Sequence, residues 1–330
     1  MENISLHFTV AIPTYNGETR LPLLLEKLRS QVVPHHITWE IIVIDNNSTD
    51  NTFSLIQNYQ TSWNCHNQLR YVMEKEQGAA FARLRAVHEA RGELIGFLDD
   101  DNLPAFDWIT AAYAFSTSHP QAGAFGSQIH ADYAIKPPDE FKRIESFLAI
   151  RERGSHAHLY QPENLSLPPS AGLVVRKKAW CTHVPNRPTL SGKISGSMIQ
   201  GEDYEVLLYL HKAGWEIWYN PAMHIDHQIP HWRLEKDYLV ALARGCGLPI
   251  CQLRLIGTKN WQKPLLIIKI TLGSFWRLLQ HFMKHKWKIK TDLIAFVEMH
   301  FYLSSFFSTF YYLKNRIVKH YSVGRSISKL

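Results

Sequence analysis

Cysteine is scarce in this chain and never paired in sequence. Cys65, Cys181, Cys246 and Cys251 are the only four in 330 residues, and no C-x-x-C occurs. That spacing argues against a thiolate zinc site and a disulfide framework, and it fits reduced thiols in a cytosolic protein. The first residues, MENISLHFTVAIP, lack a basic stretch followed by a long apolar run, so no secretory leader is expected. Neither an internal repeat nor a low-complexity tract is present. No G-x-G-x-x-G follows the first apolar segment, which argues against a dinucleotide-dependent dehydrogenase. No motif supports nucleic-acid binding.

What is present is ordinary globular material, 45% hydrophobic and 20% charged, enough to bury a sizeable core. The charge is unevenly placed. From Arg254 onward there are 14 Lys and Arg against two acids, whereas the preceding residues carry 22 against 27. A slightly acidic body with a basic tail implies that the tail meets something anionic.

The first hundred residues alternate in the βα manner. HFTVAIP, WEIIVID, LRYVMEK and ELIGFL read as strands, WEIIVID as one buried on both faces, and segments of helical spacing separate them. Such alternation predicts an α/β doubly wound sheet. Ligands of these sheets bind beyond the carboxyl ends of the strands. There the sequence places Pro13-Thr14-Tyr15-Asn16, then Asp45-Asn46-Asn47-Ser48, then Asp99-Asp100-Asp101. Were the fourth strand to stay extended, Asp99 and Asp101 would share one side and Asp100 take the other. Facing carboxylates without a partner raise each other's pKa, a conflict that a hard divalent cation removes while leaving positions open for phosphate oxygens. The alternative is a solvated acidic turn in which Asn102 and Pro104 are turn residues.

VAIPTYNG, VIDNNSTDNT, GAAFARLRAV with ARGELIGFLDDDN, and later GEDYE, stand in the order and spacing of the family 2 glycosyltransferases. The chain resembles that family over about residues 6–245. The resemblance implies a GT-A fold, a Rossmann-like mixed sheet flanked by helices. The division it implies is a domain over 1–250 and a basic, aromatic helical appendage over 251–330. PPDEFKRIESFLAI and NPAMHIDHQIPHWRLEKDYL extend the likeness toward glycosyltransferases of hormogonium polysaccharide biosynthesis in filamentous cyanobacteria. What the family implies can be carried over by position. Pro13, Tyr15 and Asn16 match the loop beside the nucleotide base, and Asp45 matches the acid that hydrogen-bonds it. Arg83 is placed to meet a diphosphate. Asp99 and Asp100 are expected at the nucleotide, and Asp99 and Asp101 form the D-x-D pair for Mg²⁺ or Mn²⁺. After Ala82-Arg83 the family often has Asn; here Leu84-Arg85 follows, and Arg85 reads either as a second phosphate contact or as a surface residue.

In the second half, Glu202 and Asp203 open a predicted helix that stops at Gly214. Acids in a first turn are favoured by the helix dipole, which also favours their ionised form. By resemblance Asp203 is the catalytic base and Glu202 supports it. The family frequently has a histidine just before an I-P-x-x-R step, so the resemblance implies His227 as a further metal or phosphate contact and Arg233 as a diphosphate contact. Trp215 or Trp218 could stack on an acceptor sugar, core packing being the other reading.

The implied activity is inverting transfer of a sugar from a nucleotide-diphosphate donor, UDP favoured, to a saccharide or lipid-linked acceptor in exopolysaccharide synthesis. The alternatives are an inactive sugar-binding partner of an assembly complex and a sugar-phosphate nucleotidyltransferase; PTYNGETRLP lacks the Gly- and Lys-rich loop of the latter. Residues 293–313 have the length of a membrane span but contain Glu298 and His300. They are expected to form an interfacial or core-packed helix, with the enzyme held peripherally on the inner face of the plasma membrane by Lys284, Lys286, Lys288 and Lys290.

Overall fold

A computed structural model describes residues 6–65, 67–192, 194 and 197–327. The chain opens with β1 (Leu6–Thr14), α1 (Leu21–Arg29), β2 (Trp39–Asp45), α2 (Thr52–Thr61), β3 (Gln68–Met73), α3 (Ala79–Glu89) and β4 (Gly92–Phe97). The four strands are parallel, with β1 between β2 and β4 and with β3 beyond β2. Side-chain alternation explains why their apolar runs are continuous. Phe8, Val10, Ile12, Ile41, Val43 and Leu94 face one core, closed by Leu21, Leu24, Leu25 and Leu28 of α1. Ala11, Ile42, Ile44, Ile95 and Phe97 face a second core, closed by Ala82, Ala86 and Val87 of α3. Each fully buried Leu, Ile or Phe contributes roughly 1.5–3 kcal/mol relative to an exposed one.

The extended continuation through the three aspartates does not occur. β4 stops at Phe97 and the chain turns at Asp100–Asp101 before β5 (Asn102–Pro104). The turn is closed by the Asn102 N–H, which donates to the Asp99 carbonyl at 2.9 Å. The three carboxylates therefore do not follow strand alternation.

Next come α4 (Trp108–Ser118), β6 (Ala122–Tyr133), β7 (His158–Leu159), β8 (Val174–Arg176), α5 (Lys177–His183), α6 (Glu202–Lys212) and β9 (Glu216–Ile229). They extend the sheet into a mixed one, in the order β3-β2-β1-β4-β8-β6-β9-β5, with β7 pairing β9. β8 runs antiparallel to β4 and β6, and β5 antiparallel to β9. Pro221 lies inside β9, which continues past it to Ile229. The register between β6 and β9 shifts there, Asn220 opposing Ser127 and His224 opposing Gln128. The proline thus sits in a bulge where its missing N–H is not needed.

Two compact units result. The first holds the whole sheet, with residues to Lys136, Leu148–Ile194 and Glu202–His231. The second comprises Pro137–Phe147, a short segment ending at Gly201, and the chain from Trp232. It is built on α7 (Lys236–Gly247), α8 (Ile250–Leu255), α9 (Lys263–His285) and α10 (Leu293–Ile327). Within α10, Leu293–Arg316 is long and apolar enough to cross a membrane by length and composition. Yet Ile294, Ala295, Val297, Ser304, Ser305 and Ser308 are buried inside the protein. The Ser305 and Ser308 hydroxyls donate back to Phe301 and Ser305 carbonyls at 2.8 and 2.6 Å, so they are satisfied where they lie.

Gly96 leaves no room for a side chain against the first core. A Cβ there would lie 2.5 Å from the Trp108 ring and 2.7 Å from that of Phe8. Gly96→Ala is expected to cost about 1–3 kcal/mol by overpacking. Urea unfolding reads this directly, and an unshifted midpoint would mean the core yields at no cost.

Candidate functional site

The loops after β1 and β2 are sewn together at the carboxyl edge of the sheet. Asn16 takes up φ +51°, a conformation Asn tolerates. Its N–H donates to Ser48 Oγ at 2.9 Å, and its Oδ1 accepts from the Thr49 N–H at 2.8 Å. Pro13, next to last in β1, is half-buried, and Tyr15 projects into solvent. Asp45, fully buried at the end of β2, accepts from the Ser48 N–H at 2.9 Å and from the Tyr71 hydroxyl at 2.7 Å. This carboxylate organises its own turn, whatever else it meets.

The three aspartates answer their mutual repulsion by turning to three different cationic or basic groups. Asp100 is gripped by Arg20, Nε to Oδ1 at 2.7 Å and Nη2 to Oδ2 at 2.9 Å, and its Oδ2 also accepts from Thr14 Oγ1 at 2.6 Å. Both of its oxygens are engaged, so it pins the β1 loop. Asp99, 38% exposed, meets Arg83 at 3.0 Å. Asp101 is buried beside His227, with Oδ2 and Nε2 3.6 Å apart. That neighbour comes from sheet pairing, because Asn102 opposes His227 where β5 meets β9. Asn102, with no exposure at all, accepts from the Asp99 N–H at 3.2 Å and donates to Asp101 Oδ1 at 3.1 Å.

Arg83 joins this corner to the second acidic motif. Its Nη1 donates to Glu202 Oε1 at 2.8 Å while its Nη2 holds Asp99, and its side chain is 8% exposed. Burial works against its charge, but Asp99, Glu202 and Asp203 outweigh that and hold the guanidinium above its usual range. Gly192, at φ +75°, passes close to Glu202; a Cβ there would lie 2.7 Å from the carboxyl carbon. Asp203 stands in the first turn of α6, where its Oδ2 accepts from the Ser170 N–H at 3.0 Å and its Oδ1 from the Tyr204 N–H at 2.8 Å. Burial, then the neighbouring Glu202 charge, push its pKa up to about 6, while Arg83 and the two backbone N–H groups work the other way. The helix-dipole expectation of a readily ionised acid is outweighed here by desolvation. Glu202, Asp203 and Arg83 line one wall of a pocket of about 510 Å³, measured with its open mouth. Its other walls include Phe97, Leu173, Trp180, Pro185 and Pro188.

Other predicted residues are not brought to this corner. Trp218 packs on the first core beside Phe115 and His119, and Trp215 packs on the core of the opposite face. Arg233 belongs to the second unit, its guanidinium 5.2 Å over the Trp232 ring. Arg85 pairs with Glu89 one helical turn on, at 2.8 Å, which is the surface reading. Arg20, Asn102 and Tyr71 had been given no part in the site. Their roles depend on contacts across 80 residues for Arg20 and 26 for Tyr71, or, for Asn102, on a turn that the expected straight strand hid, and no local signal marks them.

A divalent cation can be tested against these side chains. Asp101 and His227 offer a carboxylate oxygen and an imidazole nitrogen, buried and too far apart for a hydrogen bond to each other, and the exposed Asp99 carboxylate adds a third oxygen nearby in sequence. Such a donor set fits Mn²⁺ or Mg²⁺. Among the described residues, three ligand atoms within 4.8 Å of one another occur instead at His281, His285 and Glu298 of the second unit. There Arg143 already supplies the cation, its Nε 3.1 Å from Glu298 Oε1 and its Nη2 3.4 Å from His285.

Residues 9–179, just over half of the chain, match the family described as Glycosyl transferase family 2. The chain belongs to that family. It is a glycosyltransferase of GT-A fold, related to enzymes of polysaccharide biosynthesis. The succinoglycan biosynthesis protein ExoM of Rhizobium meliloti is 24% identical over 72% of this chain and 72% of its own. Other curated relatives match over shorter stretches, and the chain spans only 34% and 19% of the length of two of them. Among solved structures, the mannosyltransferase PcManGT of Pyrobaculum calidifontis, in complex with GDP-Man and Mn²⁺, superposes with a TM-score of 0.53 at 19% identity, covering 92% of this chain and 86% of its own. Residues 1–349 of Staphylococcus aureus TarS, in complex with UDP-GlcNAc, give 0.51 at 15% identity, covering 94% and 92%.

Removing the buried cation should deprive Asp99 and Glu202 of their shared partner. Arg83→Met is expected to lower stability by about 3–5 kcal/mol, measured by chemical denaturation. A variant as stable as the parent would show that the bridge is dispensable.

Proposed function

We propose that the enzyme is an inverting transferase that moves a sugar from a nucleotide-diphosphate donor to a hydroxyl of a saccharide or lipid-linked acceptor. The observation that carries this is Asp203, a buried carboxylate with its pKa near 6, linked through Glu202 and Arg83 to the aspartates after β4. A base poised there is mostly ionised at neutral pH and still able to hold a proton.

In the reaction, Asp203 accepts the proton of the acceptor hydroxyl as the oxygen bonds to the anomeric carbon. The bond to the donor's phosphate oxygen breaks on the opposite side, its electron pair leaving with the nucleoside diphosphate, so the configuration inverts. Glu202 and the two backbone N–H groups orient Asp203. Asp45, Pro13, Tyr15 and Asn16 border the base of the donor. Asp101 and His227, with Asp99, would hold Mg²⁺ or Mn²⁺, which when bound neutralises charge on the departing diphosphate. UDP is the favoured nucleotide, which the fold shared with the UDP-GlcNAc complex of TarS supports. The setting we propose is exopolysaccharide synthesis, as for ExoM, with hormogonium-type polysaccharide the narrower possibility from likeness. The basic C-terminal segment would hold the enzyme on the cytoplasmic face of the membrane.

Asp203→Asn should keep metal-dependent nucleotide binding and lower turnover at least about a hundredfold. In the parent enzyme, kcat/KM should fall about tenfold per pH unit below pH 6, as Asp203 takes up its proton. Undiminished turnover in the variant, or a flat acid limb in the parent, removes Asp203 from the chemistry.

Asp101→Ala should abolish the extra thermal stabilisation that Mn²⁺ adds to UDP. Equal UDP stabilisation of the parent with Mn²⁺ and with EDTA would refute the metal assignment, and stabilisation by GDP alone would refute the choice of base.

A further inference from the structure

α9 buries two polar side chains and displays most of its large apolar ones. Its buried positions are Ile270, Ser274 and His281, the last donating through Nε2 to the Ala295 carbonyl at 2.9 Å. Facing outward are Leu265, Ile268, Leu272, Phe275, Trp276 and Phe282, with Leu265 72% and Leu272 64% exposed. At 3.6 residues per turn these six fall within an arc of roughly 120°. Single exposed apolar residues are normal, but a continuous stripe along a 23-residue helix marks a face that something covers.

Charge and end groups indicate what covers it. Lys269, Arg277 and Lys284 are exposed and run along one flank of the stripe. Trp261 precedes the helix and Trp287 follows it, the latter 83% exposed, and Lys286, Lys288 and Lys290 lie around that end. The apolar face continues onto α10. Phe275 meets Phe306 at 5.8 Å and Phe306 meets Phe310 at 6.1 Å, with Phe307 and Phe310 both exposed. Apolar side chains flanked by cations, with tryptophans at the ends, match the layers of a bilayer interface.

We propose that this face of α9 docks on an anionic lipid surface, the helix lying in the plane of the headgroups with its leucines and aromatics entering the acyl boundary. A second copy of the chain fits less well, because its cationic flank would meet an identical one. A spanning α9 fits less well too, since Lys269, Arg277 and Lys284 fall along its length. The proposal rests on the reading that the basic C-terminal segment works at a membrane. It is independent of the transfer chemistry, so its failure leaves the roles of Asp203 and Asp101 untouched.

Flotation of the full chain with vesicles of phosphatidylcholine, with and without phosphatidylglycerol, tests it. The chain should float with the anionic vesicles and be released by salt. Leu272→Gln and Trp276→Gln should each weaken binding about tenfold. Lys269→Glu combined with Lys284→Glu should erase the preference for phosphatidylglycerol. All four positions are exposed, so circular dichroism should show an unchanged fold. Failure of the parent to float, or equal flotation of the Leu272 and Trp276 variants, overturns the proposal. So does a lipid-free dimer in sedimentation velocity that those two substitutions dissociate, since a second copy would then be the cover.

Discussion

Arg83 lies almost out of solvent between Asp99, just after β4, and Glu202, at the start of α6, and the two acids reach it from positions 103 residues apart. A guanidinium is suited to this because it offers several N–H groups in one plane and stays charged under burial. Take it away and both the buried Glu202 and the half-exposed Asp99 lose their cation. With it in place, the acids after the fourth strand and the Glu202–Asp203 pair become parts of one site. The same cation moderates Asp203, whose pKa would otherwise be driven further up by burial and by Glu202.

The rest of the corner solves the same problem of crowded negative charge. Three successive carboxylates cannot share a buried turn unless each has its own answer. Arg20 takes Asp100, Arg83 takes Asp99, and Asp101 is left beside His227. Asn102 then fixes the turn from inside, through its own N–H and both ends of its side-chain amide. Asp101 and His227 set a buried carboxylate oxygen beside an imidazole nitrogen, a donor pair suited to a divalent cation, which is why the metal proposal settles there.

Much of this was legible in the residues themselves. The first four strands and their helices follow from unbroken apolar runs and helical spacing, because parallel strands are covered on both faces and helices on one. The mixed sheet followed from resemblance rather than from pattern. The place of Pro221 inside β9 was not legible, since a proline in a strand is tolerated at a bulge and the bulge depends on a partner strand. The three aspartates were found, but their directions were not, because the turn that sets them is closed by Asn102 and by β5 pairing with β9. Arg20 was invisible for the same reason: its partner lies 80 residues away. Trp218 looked like a sugar platform, but its place on β9 turns it into the core with Phe115. Local propensity shows elements; which side chain meets which is decided by the sheet order.

The second unit has a logic of its own. Its helices bury serines on α10 and a serine and histidine on α9, and they leave large apolar side chains outside. The central claim, however, concerns the corner after β4. A crystal grown with UDP and Mn²⁺ tests it most directly through the anomalous signal of manganese. The account predicts one strong peak bonded to Asp101 and His227, with the diphosphate against it and Asp203 on the far side of the donor sugar's position. A peak only at His281, His285 and Glu298, or a diphosphate bound away from the three aspartates, would contradict it.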